Sequence, residues 1–244
     1  IMIDKISQLE KLPWFLVFEN VPYLKIGANG RWFEHIKQKI KSLGYWFSDT
    51  NALIVDARKH AGLPQRRERL FMVAANKSIF DYNPFNFVKE ANEVQSLSNL
   101  LMKYENIEPP KSLSKDSKYH NEMWEKGIKD GELKEPYQLV QYRKTWPRII
   151  EPGFCPTLTQ NMGAGGHNVP FYWQPKQETF RKLSVAQCLA LQGFPNEIEF
   201  PVDISVGARY RMIGNSVSPL VSDLIAQQIK HFVEERKNEL KLAV

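Results

Sequence analysis

Cysteine is scarce: two in 244 residues, Cys155 and Cys188. They lie far apart, and neither has a His or Cys partner at metal-ligand spacing, which argues against a disulfide framework and a metal site. A reducing compartment is the expected setting. No apolar run approaches the ~20 residues that a membrane-spanning helix needs, so no membrane partner is expected. The opening Ile1-Met2-Ile3-Asp4-Lys5 does not have the pattern of a signal peptide. No internal repeat is visible, which argues against a solenoid.

What is present is ordinary globular material. Hydrophobic residues make up 43% and charged residues 25% of the chain, enough for one sizeable core or a core plus a smaller lobe. The formal charge is +6. A positive excess favours a polyanionic partner through counterion release, although a plain basic surface gives the same number.

Trp14 to Phe18 is a continuous apolar run after Pro13, the pattern of a strand buried on both faces, as in a parallel sheet. It ends in Glu19-Asn20-Val21-Pro22, and strand carboxyl ends are where open α/β sheets bind ligands. After Gly27-Ala-Asn-Gly30, the spacing of Phe33, Ile36, Ile40 and Leu43 predicts a helix that stops at Gly44. Residues 45–55 read as one strand and Leu70–Ala74 as another. From about Asn76 to residue 178 the texture is irregular, rich in Pro, Asn, Lys, Tyr and Trp. Its one short helical stretch is Ser96–Tyr104, and 111–118 reads as an exposed loop. Ser184 and Gln187 form a capping box for a helix that Gly193 and Pro195 end. Ser218 before Pro219 starts a last helix with Val221, Leu224, Ile225, Ile229 and Phe232 on one face.

Four separated segments, in this order, carry a resemblance: Phe18-Glu19-Asn20-Val21; Gln65-Arg66-Arg67-Glu68-Arg69; the fifteen residues from Arg181 to Pro195, ending Gln-Gly-Phe-Pro; and Gly214-Asn215-Ser216-Val217. The first and last are short. The third is specific, and a gap of about a hundred residues precedes it. Together they resemble the DNA cytosine-5 methyltransferase family over essentially the whole chain. That resemblance implies an α/β fold: a partial Rossmann-like, S-adenosylmethionine-dependent methyltransferase sheet with a smaller, irregular, β-rich target-recognition domain. The expected sheet is mostly parallel. The expected boundaries are 1–76 for the C-terminal half of the catalytic domain, 77–200 for target recognition, and 201–244 for a C-terminal helix returning to the catalytic domain. Double-stranded DNA is expected to lie between the two, in a cytoplasmic, nucleoid-associated protein.

The chemistry of the family explains the residue types. Cytosine C5 is a weak nucleophile until a cysteine thiolate adds to C6 of the flipped base, after which C5 takes a methyl group from S-adenosylmethionine. A carboxyl group at the base's pairing edge can bond N3 and the amino group. The resemblance gives Glu19 that role; alone, Glu19 would read as a strand-end carboxylate capping a turn. It gives Arg67 and Arg69 the cytosine O2 and flanking phosphates, where a solvated charge cluster with Glu68 is the plainer alternative. Asn215, Ser216 and Val217 are expected to close the cofactor pocket, largely through backbone. Thr157 and Leu158, with the loop Gly163, Gly165, Gly166 and His167, resemble the family's Thr-Leu signature and glycine loop and are expected to approach DNA. Aromatics such as Trp124, Tyr137, Tyr142, Trp146, Tyr172 and Trp173 are mostly core material.

The family's N-terminal half is expected to be absent from this chain. No Phe-x-Gly-x-Gly element and no Pro-Cys-Gln is present, so no nucleophile is assigned, and most of the cofactor site is expected outside this chain. Three explanations stay open: a piece of a one-chain enzyme, a second subunit whose partner brings the cysteine, and a non-catalytic DNA-binding or regulatory protein. Apolar surface left exposed on this part predicts poor solubility or a partner.

Overall fold

The computed structural model describes residues 2–82, 90–105, 107, 111–143, 146–163, 169–195 and 197–235. In chain order its helices are α1 (Met2–Ile6), α2 (Tyr23–Ile26), α3 (Arg31–Ser42), α4 (Ala57–Ala61), α5 (Leu97–Glu105), α6 (Lys118–Trp124), α7 (Val185–Leu191), α8 (Val206–Asn215) and α9 (Pro219–Glu235). Its strands are β1 (Phe15–Asn20), β2 (Tyr45–Trp46), β3 (Ala52–Asp56), β4 (Glu68–Asn76), β5 (Leu139–Arg143), β6 (Trp146–Ile149), β7 (Phe171–Gln174) and β8 (Thr179–Lys182). The chain separates into two compact units: described residues of 1–56, 68–90 and 221–244 form one, and those of 57–67 and 91–220 form the other. These limits differ from the boundaries expected from sequence. Residues 57–67 and α8 go with the second unit.

In the first unit β4 is the central strand. β1, β2 and β3 all pair with it, each antiparallel. The mostly parallel sheet expected from the apolar run at 14–18 is therefore corrected: β1 and β3 do run parallel to each other, but the reversed β4 lies between them. A run of seven consecutive buried residues from Leu70 to Asn76 reflects that central place, since both faces of β4 are covered. On one face α3 lays Phe33 and Ile40 against Leu16, Tyr45, Leu70 and Met72. On another side Phe232 of α9 meets Phe80 and Phe15 at ring distances of 5.3 and 6.2 Å. Fully buried Ile40 and Leu70 each contribute about 1.5–3 kcal/mol of transfer free energy.

The helix expected after Gly30 is α3, and Gly44 beyond its end takes φ +84. The single strand expected over 45–55 is two. Ser48 caps a tight turn at Asp49–Asn51, with the Asn51 carboxamide accepting from both the Ser48 amide and hydroxyl. This local polar closure outweighs the extended propensity of Tyr-Trp-Phe.

The second unit holds an antiparallel sheet in the order β6-β5-β7-β8. Its core joins Leu139 and Tyr172 of that sheet to α5, α7 and α8. A smaller cluster of Met123, Val140, Tyr142, Phe171 and Phe180 lies under α6. Of the aromatics, Tyr142 and Tyr172 are core residues, while Trp124 and Trp146 are exposed. The capping box at α7 is made in full: Ser184 Oγ accepts from the Gln187 amide, and Gln187 Oε1 from the Ser184 amide. The expected helix at 96–104 is α5. Helix α8 was not expected. Its signals were Ser205 as cap, accepting from the Ala208 amide, and Tyr210 and Ile213 at helical spacing. Among the described residues no helix is long and apolar enough to cross a membrane.

Candidate active site

At the carboxyl end of β1, Glu19 faces Phe71 across the β1–β4 ladder, and Asn20 faces Leu70. Arg69 stands on the same strand pair, and its Nε lies 3.0 Å from Glu19 Oε1. Both side chains are largely covered, 17% exposed for Arg69 and 27% for Glu19. Arg69 Nη1 also donates to the Glu68 carbonyl at 2.7 Å. Burial pulls the Arg69 guanidinium below its ordinary range and Glu19 pulls it back up. An arginine remains a cation through such a shift, so the pair is a carboxylate held by a fixed charge. Asn20 folds back on the turn that follows, its Oδ1 accepting from the Val21 amide at 2.9 Å.

Arg67, two residues before Arg69, does something different. It lies in the second unit, is 3% exposed, and donates from Nη1 to the Leu158 carbonyl at 2.8 Å. Its Nη2 donates to the Gly214 and Ser216 carbonyls at 3.2 and 2.7 Å. Two buried glutamines extend this network. Gln65 Nε2 donates to Gln192 Oε1 at 2.6 Å and to the Leu191 carbonyl at 3.0 Å. Its Oε1 accepts from the Leu158 amide at 2.9 Å. Gln192 Nε2 in turn faces the Ser216 carbonyl and hydroxyl at 3.0 and 3.1 Å.

One buried polar network thus ties together the Gln-Arg-Arg-Glu-Arg segment, the Thr-Leu pair, the Gln-Gly-Phe-Pro turn and the Gly-Asn-Ser-Val segment. A buried network of this kind favours a single arrangement, because breaking it leaves buried groups without partners. The expectation that Arg67 and Leu158 meet DNA themselves does not match their burial, since Leu158 is 1% exposed and Arg67's donors serve backbone carbonyls. Thr157 is half-buried and gives its hydroxyl to the Arg66 carbonyl at 2.7 Å. Sequence reading missed Gln65 and Gln192 as organisers. Their available signal was a Gln in each of two matched segments that fold places in the core.

The Asn215–Val217 segment lies between α8 and α9: Asn215 is the last residue of α8 and Ser216 its cap. Ser216 Oγ donates to the Ile213 carbonyl at 2.7 Å. Asn215 is exposed and Val217 half-buried. Gly214 packs on the backbone of Thr159 and Gln160 so closely that a Cβ would overlap them. Gly163 ends a short turn at Gln160–Gly163, while Gly165, Gly166 and His167 lie outside the described residues. Both cysteines are fully buried, and burial pushes the Cys155 thiol well above its ordinary range.

The chain is 28% identical over 220 residues to the type II methyltransferase M.Bsp6I of Bacillus sp. (strain RFL6), covering 90% of this chain and 66% of that protein. It is 29% identical over 226 residues to the type II methyltransferase M.HaeII of Haemophilus aegyptius, 92% of this chain and 63% of that protein. The chain spans about half to two thirds of the length of the curated relatives it matches. Among solved structures, the S. pombe Dnmt2 methyltransferase superposes with a TM-score of 0.60 at 16% identity, over 95% of this chain and 69% of that one. The Entamoeba histolytica methyltransferase EhMeth gives 0.61 at 15% identity, over 93% and 66%, and both show a shared fold. The family model for C-5 cytosine-specific DNA methylases matches residues 3–231, and this chain belongs to that family.

Proposed function

We propose that this chain takes part in methyl transfer from S-adenosylmethionine to C5 of cytosine in a specific sequence of double-stranded DNA. The nucleophilic cysteine and most of the cofactor site come from residues outside this chain, in cis or on a separate subunit. The observation that carries the reading is the Glu19–Arg69 pair at the end of β1. A carboxyl group held there presents an acceptor and, when protonated, a donor to the pairing edge of a flipped cytosine. It stabilises the charge that builds on N3 as C6 is attacked. Arg69 fixes the carboxylate's orientation and offers a cation to the base oxygen.

Arg67 and Leu158 act one step back. They hold the bend at Asn215, Ser216 and Val217 in one conformation, and they do not touch the base. That bend fits a wall of a cofactor pocket: the Ser216 carbonyl and hydroxyl are used internally, while the Asn215 carboxamide is exposed. S-adenosylmethionine, when bound, supplies an electrophilic methyl group. Thr157 and the loop of Gly163, Gly165 and Gly166 are assigned to the DNA side. The burial of Cys155 and Cys188, with the Cys155 thiol pushed further up by it, supports an external nucleophile, since a thiol without exposure does not attack.

The test is labelled methyl transfer to mixed-sequence DNA by this chain alone, and again with a supplied N-terminal half carrying Pro-Cys-Gln. Activity in the mixture only is the expected result. Activity in the chain alone sinks the external-nucleophile reading. DNA binding without activity in either favours a non-catalytic DNA-binding role.

A further inference from the structure

Strand β6 is an edge of the second unit's sheet, and its side chains alternate between the two faces. Pro147 stands opposite Tyr142 and is buried, while Ile149 stands opposite Val140 and packs into the cluster around Met123. Trp146 and Arg148 therefore point to the other face. On that face the cover ends at Ile150, which is buried in the larger core with Leu139 and Tyr172. Arg148, next along the same face, is exposed, and Trp146 beyond it is 52% exposed. The only printed pairs between β5 and β7 are at Leu139 and Val140. Past Val140, β5 and β6 thus run on as a two-stranded ribbon.

A solvated sheet face has no use for this pair of side chains. An indole left half in water forgoes the burial its area would give. Lys126, in the π-helical turn after α6, places its Nζ 5.3 Å from the Trp146 ring centre, and a small ammonium leaves most of the indole open. Arg148 makes no hydrogen bond or ion pair with a described residue, so its planar set of donors is unused. Trp and Arg are the residue types that carry binding energy once a partner covers them. Pro147 removes a backbone donor from the edge strand, which disfavours a partner that adds a further strand. The partner is then met by side chains. Membership of a DNA methylase family and a formal charge of +6 favour a polyanion, and a two-stranded ribbon fits the major groove, about 12 Å wide.

We propose that this ribbon reads DNA in the major groove: Arg148 donates its fork to O6 and N7 of a guanine, and Trp146 packs its indole on the neighbouring nucleotide. The proposal rests on the DNA reading above and lies outside the four matched segments. Guanine is the base whose two groove acceptors match an arginine's planar fork.

The experiment is selection of duplexes by the chain from a pool with a randomised stretch, followed by titration of the enriched sequence over a salt series. The wild type is expected to enrich a sequence containing a required guanine. Arg148→Ala is expected to bind that sequence about ten- to a hundredfold more weakly. Replacing the guanine is expected to cost the wild type a similar factor and to cost Arg148→Ala nothing further. Arg148→Lys keeps the charge and the salt slope but loses the preference for guanine, since an ammonium has no fork. Trp146→Ala is expected to weaken binding severalfold with the salt slope unchanged. Thermal melts check that each variant is folded. An equal loss on every duplex for Arg148→Ala, with a salt slope lower by about one, overturns the base readout, because that is a phosphate contact. Unchanged affinity and preference in the variants also overturns it and leaves the pair to a protein partner. A wild type that binds the pool without enriching any sequence overturns it while the DNA reading stands. A wild type that retains no duplex overturns both.

Discussion

Arg67 donates to the carbonyl oxygen of Ser216 at 2.7 Å, joining two segments 149 positions apart in the chain. With Leu158 and Gly214 as its other acceptors, this guanidinium is a structural centre for the second unit. Replacing Arg67 by Met takes this donor from the Leu158 and Gly214 carbonyls, while the Ser216 carbonyl keeps Gln192 Nε2. The expected destabilisation is about 3–5 kcal/mol, the scale for breaking buried charged interactions. Urea unfolding of the second unit checks this, and a change below about 1 kcal/mol would show that the network carries little of the fold.

Glu19 lies in the other unit and is bonded to a single arginine, so its loss leaves a smaller structural debt. In the enzyme completed by an N-terminal half, Glu19→Ala is expected to lower the rate of methyl transfer by about a hundredfold or more, in the range of general acid–base contributions. DNA affinity is expected to stay within a few-fold. Equal losses in rate and in affinity, measured by single turnover and by titration, would remove Glu19 from the chemistry.

Gly214 tests the close approach of α8 to the Thr159–Gln160 backbone. A methyl group there meets main chain, which cannot swing aside as a side chain can. Gly214→Ala is expected to destabilise the unit by about 1–3 kcal/mol through overpacking, despite alanine's better helix propensity. A rise in melting temperature would contradict this packing.

Tyr142 predicts a pH dependence. Its hydroxyl donates to the Glu122 carboxylate, and that bond, with burial adding, pushes its pKa up to about 12. The folded value exceeds the unfolded one, about 10. The stabilising contribution is therefore complete below pH 10 and is lost as pH rises toward 12. Tyr142→Phe is expected to lower stability at neutral pH and to flatten the fall between pH 10 and 12. An unchanged alkaline profile would rule out this hydroxyl as its source.

Much was legible from local signals. The capping box of Ser184 and Gln187, the stop at Gly44 and the apolar face of α9 are each decided by residues within a few positions of one another. Those interactions form inside a single element, so residue order determines them. The four matched segments also identified the family, because their residue types survive in order. The break between β2 and β3 and the existence of α8 were local too, but their polar caps at Ser48 and Ser205 were outweighed in reading by nearby apolar residues.

What only tertiary structure decided is the division of labour between Arg67 and Arg69. The sequence presents two arginines at strand spacing, which favours one shared task. Folding gives Arg67 a buried nest of carbonyls drawn from residues more than ninety positions away, and gives Arg69 the carboxylate of Glu19 fifty positions earlier. Likewise the reversed direction of β4 is invisible in its apolar run, because burial on both faces leaves the same composition whichever way a strand points. Partners that come from distant segments depend on register and chain direction, and these are set by the packing of whole elements rather than by any residue's neighbours in sequence.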